Sequence, residues 1–543
     1  MAQHLSKLSI AVKMIGLKLR KLARAIHRQP LQPIPGISVT RNIAVPMRDG
    51  IHLMVNVYRQ DRPGKHPVLI CMTPYGKDEQ PEHYELLKAA GIGVGNIQTS
   101  DFAIFEGPDP AYWVPAGYAV IHANARGMWN SEGDAYVFDL QNGIDYYDLI
   151  EWSARQDFSN GKTGLAGVSY LAWSQWMAAS LQPPHLTAIC PWEGFTDMYR
   201  EVAYHGGIPE VGFLRTLYVN RFRAHYNRKY CLPDNLPANA EKHTLDDDYW
   251  ARKRPNLKAI EVPALICASW SDQGLHTPGS LEGFKQITSP QKWLYTHGRK
   301  KWETYYSPES LDLQKKFFDH FLHGIDNEMP NQPPVRLEVR TNYYKAHIRF
   351  ETGWPLPHTK HQDLFLDAAN RQLSTTPGEK ENFIRYHTKP GDKNKAAFDY
   401  QFSKDTELTG GMFLRLWVAA EDADDLDLFI AVKKLDRQHK EVHFSGYNSI
   451  DYDMVAKGWL RVSTVQTLRK GEIVPVQIEI LPSSTLFEEG SFLRVEIMGH
   501  EPLVYPAFKH GRPVNKGFHR IHTGGRYDSK LSVPIIVPGP GTK

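Results

Sequence analysis

The chain has 543 residues, 41% hydrophobic and 23% charged, an ordinary globular composition that excludes wholesale disorder, collagen and coiled-coil architectures. At roughly 150 residues per domain it has room for about three or four domains and a large core, and four cysteines in so long a chain exclude a disulfide scaffold. The net charge of +4 is uneven: residues 1–40 hold seven basic side chains (Lys7, Lys13, Lys18, Arg20, Lys21, Arg24, Arg28) and no acid, leaving 57 basic and 60 acidic residues, a net of −3, elsewhere. A near-neutral body gives no electrostatic footprint for nucleic acid. No uncharged apolar run reaches the ~18 residues of a spanning helix.

Leu5, Leu8, Val12, Ile15, Leu19, Leu22 and Ile26 recur every three or four residues. That spacing puts them on one face of a helix with Lys and Arg around the rest. A basic amphipathic helix over residues 1–36 fits three roles. It could lie on an anionic membrane surface through residues 5–28, act as a transit peptide, or dock on the body or a partner chain. Lys13 and Lys18 interrupt the apolar run of a secretory signal. With cysteines that read as reduced thiols, the expectation is a cytoplasmic protein; a homo-oligomer is compatible with the sequence.

After the Pro-rich exit at 32–36, residues 38–59 alternate apolar and polar around Arg48-Asp49-Gly50, which predicts a hairpin. HPVLICMTPYG (66–76) and YAVIHANARG (118–127) read as buried strands with their loops, and residues 142–156 carry helical spacing. The strands KTGLAGV (162–168), LTAICPW (186–192), VPALICASW (262–270) and KWLYTHG (292–298) follow. A helix is expected between the first two, from Tyr170 to about Leu181, and another over 308–324, ended by Gly324. Apolar strands alternating with helices predict an α/β domain over 37–325, built on a parallel sheet covered on both faces. Aromatic and charged residues 194–260 interrupt the alternation and predict a helical cap. From 335 to 543 short alternating strands separated by turns, beginning with VRLEVR (335–340), predict a β-sandwich.

Gly167-Val168-Ser169-Tyr170-Leu171 lies where a strand turns into a helix. In a nucleophile elbow that sharp turn lifts the serine hydroxyl above the sheet, and the helix N-terminus beneath offers N–H groups and positive dipole to a developing oxyanion. Leu171 replaces the last Gly of the short G-x-S-x-G pattern, and an ordinary N-capping serine is the competing reading. A nucleophilic serine needs a base and an orienter. In the order Ser, acid, His, Asp272 follows one later strand and His297 ends the next, both at C-terminal strand ends where sheet enzymes bind ligands. Rival histidines are His185, before a strand; His205, in the insertion; and His276, in the loop of the acid itself. Glu193 is the rival acid, and Asp145 and Asp148 read as a solvated helix face. Tyr75 follows a strand end and could aim its phenol at the oxyanion, although packing is the ordinary role of a loop tyrosine. Cys71, Cys190 and Cys267 fall in apolar strands and read as core thiols. HExxH, Walker A and EF-hand spacings are absent, as is a ligand-spaced His cluster, so neither metal nor cofactor is expected.

GVSYLAWSQWMAAS (167–180) resembles the elbow of the CocE/NonD hydrolases, the cocaine-esterase and X-Pro dipeptidyl-peptidase family, in the pattern G-x-S-Y-x-x-x-x-Q-W set by Gly167, Ser169, Tyr170, Gln175 and Trp176. TPYGKD (73–78), ARGMWNSEGD (125–134), SWSDQG (269–274), THG (296–298), the run 406–436 and GWLRVS (458–463) are similar to further segments of that family, in the same order. The resemblance implies an α/β-hydrolase fold with a C-terminal jelly roll. It also implies a serine hydrolase of carboxylic esters or amides with Ser169 as nucleophile, His297 as base, Asp272 as orienter, and an oxyanion hole from the Tyr75 hydroxyl and the Tyr170 N–H. Ala172 stands where relatives often have Gly, and Asn124 where they often have Asp. An X-Pro aminopeptidase or an acyltransferase would use the same triad. The former needs a carboxylate or carbonyl cluster for an α-amine, for which Glu193, Asp197, Glu201 and Glu210 are candidates. A carbohydrate-binding protein with a silent hydrolase domain is the non-enzyme alternative.

Overall fold

The computed structural model describes residues 33–79, 82–89, 93–446, 452–503 and 508–537. The amphipathic segment expected at the N-terminus falls, up to residue 32, outside the described residues, as do Gly91 and Ile92. Among the described residues no helix is long and apolar enough to cross a membrane.

The predicted hairpin is present: β1 (Ile37–Pro46) and β2 (His52–Gln60) pair antiparallel, with Gly50 in the turn at φ 85°. The apolar runs form β3 (His66–Thr73), β4 (Ala119–Asn124), β5 (Ser159–Val168), β6 (Leu186–Trp192), β7 (Ala264–Ser269) and β8 (Lys292–His297). Pairings give the spatial order 1-2-4-3-5-6-7-8, parallel from β4 onward. β4 and β7 are buried along their whole length, as expected of strands covered on both faces. Helix α1 (Leu140–Ala154) begins in an Asp139–Asn142 capping box. It packs with helix α2 (Tyr170–Ala179) on β3 and β5. The last helix runs from Pro308 to Phe318, continues as a wider π turn to His323, and ends at Gly324 with φ 73°, the left-handed residue the sequence called for.

VRLEVR pairs with the first sheet. As β9 (Val335–Arg340) it lies parallel to β8, with Leu294 opposite Val335, and β10 (Ala346–Glu351) closes that edge antiparallel. Val335, Leu337 and Val339 belong to the core that starts at Ile37, whereas a second core starts at Leu364 and runs to Val533. The alternation in VRLEVR suits a strand that joins the first sheet as well as a sandwich strand, so the pattern could not tell the two apart. The antiparallel strands of the second unit run from Thr359–Asp367 to Lys530–Ile536. The long pair Thr406–Ala420 and Val474–Phe487 carries a bulge between Gly410 and Met412.

Asp145 is not on a solvated face. It is buried and forms a two-pronged pair with Arg126 (Nη2–Oδ1 2.6 Å, Nε–Oδ2 2.7 Å), and Asp49 approaches the same guanidinium at 2.8 Å. Asn124 takes a different part: its Oδ1 accepts the Lys77 backbone N–H at 2.7 Å.

The segment between β6 and β7 contains short helical turns, among them Phe213–Leu217 and Leu236–Lys242. It meets the second unit through a chain of rings. His205 bonds His510 (Nδ1–Nε2 2.8 Å), His510 bonds Glu501, and Trp459 stacks on His205 at 4.9 Å. Burial, helped by His510, pushes His205 down to about 3. The unfolded imidazole titrates near 6.5, so the unfolded chain takes the proton first. Stability from the neutral ring is complete above about pH 6.5 and falls towards pH 3, by up to about 1.4 kcal/mol per pH unit. In thermal unfolding, wild type is expected to lose stability between pH 7 and pH 5, and His205→Gln to lose less over that interval. An equal loss in both would refute this assignment.

Candidate active site

Ser169 ends β5 and starts α2 at φ 62°, ψ −113°, a strained conformation that the surroundings must impose. Its N–H is shared between the carbonyls of Trp192 and Glu193, each at 3.1 Å, while the Val168 N–H donates to the Glu106 carbonyl at 3.0 Å. Gln175 fastens the turn from below: its Nε2 donates to the Gly167 and Leu171 carbonyls, and its Oε1 accepts the Cys190 N–H of β6 at 3.0 Å. The close approach expected of a small residue at 172 comes from across the contact, where a Cβ on Gly194 would lie 2.7 Å from Ala172 Cβ.

The histidine at Ser169 is His276, not His297. His276 Nε2 lies 3.1 Å from Ser169 Oγ, and its Nδ1 bonds Asp272 Oδ2. Both residues stand on the connection between β7 and helix α3 (Thr277–Gln286), where the N–H groups of Leu275, His276 and Thr277 all turn back onto the Asp272 carbonyl. One turn of chain separates the two side chains, the i, i+4 relation that brings side chains into contact. Asp272 is therefore where the sequence placed it, while its own loop supplies the ring.

His297 is held elsewhere. It is the last residue of β8, three strands along from β5, which at about 4.8 Å per strand puts the two strand ends roughly 14 Å apart. Its Nε2 faces Glu193 Oε1 at 3.0 Å and its Nδ1 accepts the Arg299 N–H at 3.2 Å, so both ring nitrogens are occupied and the proton sits on Nε2. Both His297 and Glu193 are fully buried. The ring signal that could have found His276 was the D-x-x-x-H spacing directly before a helix start at Thr277-Pro278.

Lys301, a residue the sequence reading passed over, completes the centre. It opens helix α4 (Lys301–Tyr305), and its Nζ lies 2.6 Å from Asp272 Oδ2 and 2.8 Å from His276 Nδ1. Burial opposes ionisation of Asp272, but Lys301 and His276 outweigh it and hold the carboxyl well below the usual range. Burial also pushes the His276 ring down, and the Lys301 charge adds to that. Glu106, which accepts from Trp302 Nε1 at 3.0 Å, is pushed up to about 8 by burial, against the pull of Lys301.

Tyr75 is buried beside the elbow, edge-on to Phe105 (5.1 Å) and Tyr170 (6.2 Å), with the Arg221 guanidinium 5.8 Å from its ring. Tyr170 opens α2, so its backbone N–H belongs to the first turn, whose donors have no partner within the helix. Trp173, Trp192 and Trp270 are core side chains, whereas Trp129 is half-buried and stacks on His225 at 4.4 Å. Among the described residues, Glu193, Cys267 and His297 could bring three donor atoms within 4.8 Å of one another. Glu193 is engaged with His297 through Oε1, and burial pushes the Cys267 thiol up, which keeps it protonated; the trio reads as a hydrogen-bonded pair beside a core thiol.

Residues 49–300 match the X-Pro dipeptidyl-peptidase (S15 family), and residues 327–532 match the X-Pro dipeptidyl-peptidase C-terminal non-catalytic domain. Cocaine esterase from a Rhodococcus species is 26% identical over 92% of this chain and 99% of its own length. A crystal structure of a CocE/NonD family hydrolase from Staphylococcus aureus is 40% identical, superimposes with a TM-score of 0.88, and covers 93% of this chain and 97% of the other. An α-amino acid ester hydrolase, 16% identical with a TM-score of 0.72 over 94% of this chain and 99% of its own, shares the fold. With a strained strand–serine–helix turn at the C-terminal end of the central strand β5 and this likeness along nearly its whole length, the chain belongs to the CocE/NonD family of serine hydrolases, an α/β-hydrolase followed by a C-terminal domain.

Proposed function

We propose that the protein is a serine esterase working through a Ser169–His276–Asp272 triad, with the 194–260 insertion as a helical cap and the C-terminal domain as a jelly roll. The 3.1 Å contact between Ser169 Oγ and His276 Nε2 carries this reading. With its Nδ1–H donated to Asp272, the ring offers the Nε2 lone pair to the hydroxyl. His276 takes the Ser169 proton as Oγ bonds to the ester carbonyl carbon. The oxyanion is met by the Tyr170 N–H and the Tyr75 phenol. His276 then gives its proton to the departing alkoxide as the C–O bond breaks, leaving an acyl-serine and an alcohol. Water, deprotonated by the same nitrogen, releases the acid and restores Ser169.

Peptidase use of the same triad is the second reading, and the carboxylates it would need are already engaged. Glu193 faces His297, and Asp197 pairs with Arg254 at 2.8 Å. Glu201 accepts the Thr196 N–H at 3.0 Å and is pushed up to about 8 by burial. Glu210 accepts the N–H groups of Gly212, Phe213 and Lys509. A substrate ammonium would have to displace one of these partners. Purified enzyme is therefore expected to turn over an aryl ester and to leave an X-Pro anilide uncleaved; the reverse preference would make it an aminopeptidase.

On the aryl ester, Ser169→Ala and His276→Ala are each expected to lower kcat by about 10⁴–10⁶, and Tyr75→Phe by about 10²–10³. His297→Ala is expected to lower the melting temperature and to keep kcat within about tenfold of wild type, because it removes a buried partner of Glu193 and nothing at Ser169. Loss of turnover in His297→Ala with retention in His276→Ala would overturn the assignment. The elbow itself tolerates no Cβ at Gly167, where φ is 141° and the added atom would lie 2.6 Å from Leu171 Cβ. Gly167→Ala is expected to cost about 1–3 kcal/mol in denaturant unfolding and to lower kcat by displacing Ser169. Wild-type stability in that variant would mean the turn is not held as described.

A further inference from the structure

Asp272 Oδ2 receives two donors: the imidazole through Nδ1 and the Lys301 ammonium at 2.6 Å. Among the described residues, Asp272 Oδ1 is buried without a partner. Lys301 Nζ also stands 2.8 Å from His276 Nδ1. That nitrogen has one in-plane position, filled either by a proton pointing at Asp272 or by a lone pair facing Lys301. Only the first leaves Nε2 free to accept the Ser169 proton. Which arrangement holds depends on where the ammonium directs its N–H groups.

We propose that Lys301 is a positioning residue of the hydrolytic centre, a fourth member that clamps Asp272 and thereby keeps the His276 proton on Nδ1. It reaches the loop from a different strand connection, four residues beyond β8, so it joins the β7 and β8 ends at the point of chemistry. The clamp has an electrostatic consequence. Asp272 and Lys301 together are near neutral, so an imidazolium forming on His276 faces a compensated carboxylate and a like charge. Of the other ionisable groups around this centre, Glu193, held by His297, favours the imidazolium, and Glu106, pushed up to about 8, is largely protonated at neutral pH. Lys301 is thus a positive charge that, with burial, disfavours the imidazolium on His276.

The inference rests on the proposed triad, so wild type and Ser169→Ala are assayed beside the Lys301 variants on the same aryl ester. Lys301→Met, which keeps the stem and removes the charge, is expected to move the acid limb of kcat/KM upward by about one pH unit and to lower kcat about tenfold or more with KM little changed. Lys301→Arg keeps the charge and is expected to keep the wild-type limb. A residue that only supports the fold would lower the melting temperature and leave the limb in place, and that result in Lys301→Met overturns the proposal. If Lys301→Met does not fold, a limb raised by a unit in Lys301→Arg overturns it equally. Turnover that does not depend on Ser169 would refute the triad itself, whereas Ser169-dependent turnover with a limb indifferent to Lys301 refutes this inference alone.

Discussion

The site depends on one backbone conformation. Ser169 sits at φ 62°, ψ −113°, which costs an L-residue about 1–3 kcal/mol. It persists because three neighbouring segments hold it: the β6 end takes the serine N–H, the 106 loop takes the preceding N–H, and Gln175 ties the turn to β6. Each of these bonds lies in a buried setting, where leaving one polar group unpaired costs about 1–3 kcal/mol, so that together they outweigh the strain. The hydroxyl is therefore raised above the strand ends by hydrogen-bond satisfaction underneath it.

The partner groups are brought to that hydroxyl by a loop with several independent supports. Between β7 and α3, the Trp270 N–H donates to the His297 carbonyl at 2.7 Å and Ser271 Oγ to the Arg299 carbonyl at 2.6 Å. Gln273, next to Asp272, donates from Nε2 to the Val455 and Pro482 carbonyls of the C-terminal domain at 3.1 and 3.2 Å. Arg340, at the end of β9, donates to the same Val455 carbonyl and to Ser483 Oγ at 2.7 Å. Backbone carbonyls of the second domain thus hold the loop that bears Asp272 and His276.

The sheet and the strand–serine–helix turn were legible in the sequence, because each has a local signature: apolar runs, and a small residue before a serine at a strand–helix switch. The histidine that lies beside Ser169 was not. Strand-end position says which loop a histidine occupies but not which way its ring points. His297, still within β8, points along the pleat to Glu193, while His276 gains its direction from a turn closed on the Asp272 carbonyl. Lys301 gave no signal, since a lysine at a helix start ordinarily reads as solvent-facing. Asp145 failed for a similar reason: its pairing with Arg126 joins segments 19 residues apart and cannot be seen in helical spacing. VRLEVR shows the limit for strands, where an alternating pattern marks a strand but not the sheet it joins.

The charge arrangement at the strand ends follows from burial. Isolated ions in such a setting are strongly disfavoured, so each must be compensated or neutralised. Glu193 is matched by the N–H of His297, Asp272 by Lys301 and the His276 N–H, and Glu106, whose Oε2 has no partner, by remaining protonated at neutral pH. In a triad with an uncompensated carboxylate, the acid itself would favour the imidazolium formed during attack. Under the proposed triad the Asp272 charge is already offset by Lys301, so a larger share of transition-state stabilisation falls on the proposed oxyanion donors, the Tyr170 N–H and the Tyr75 phenol. The aromatic packing that fixes Tyr75, through Phe105 and Tyr170, is on this argument part of the same electrostatic arrangement as the buried lysine.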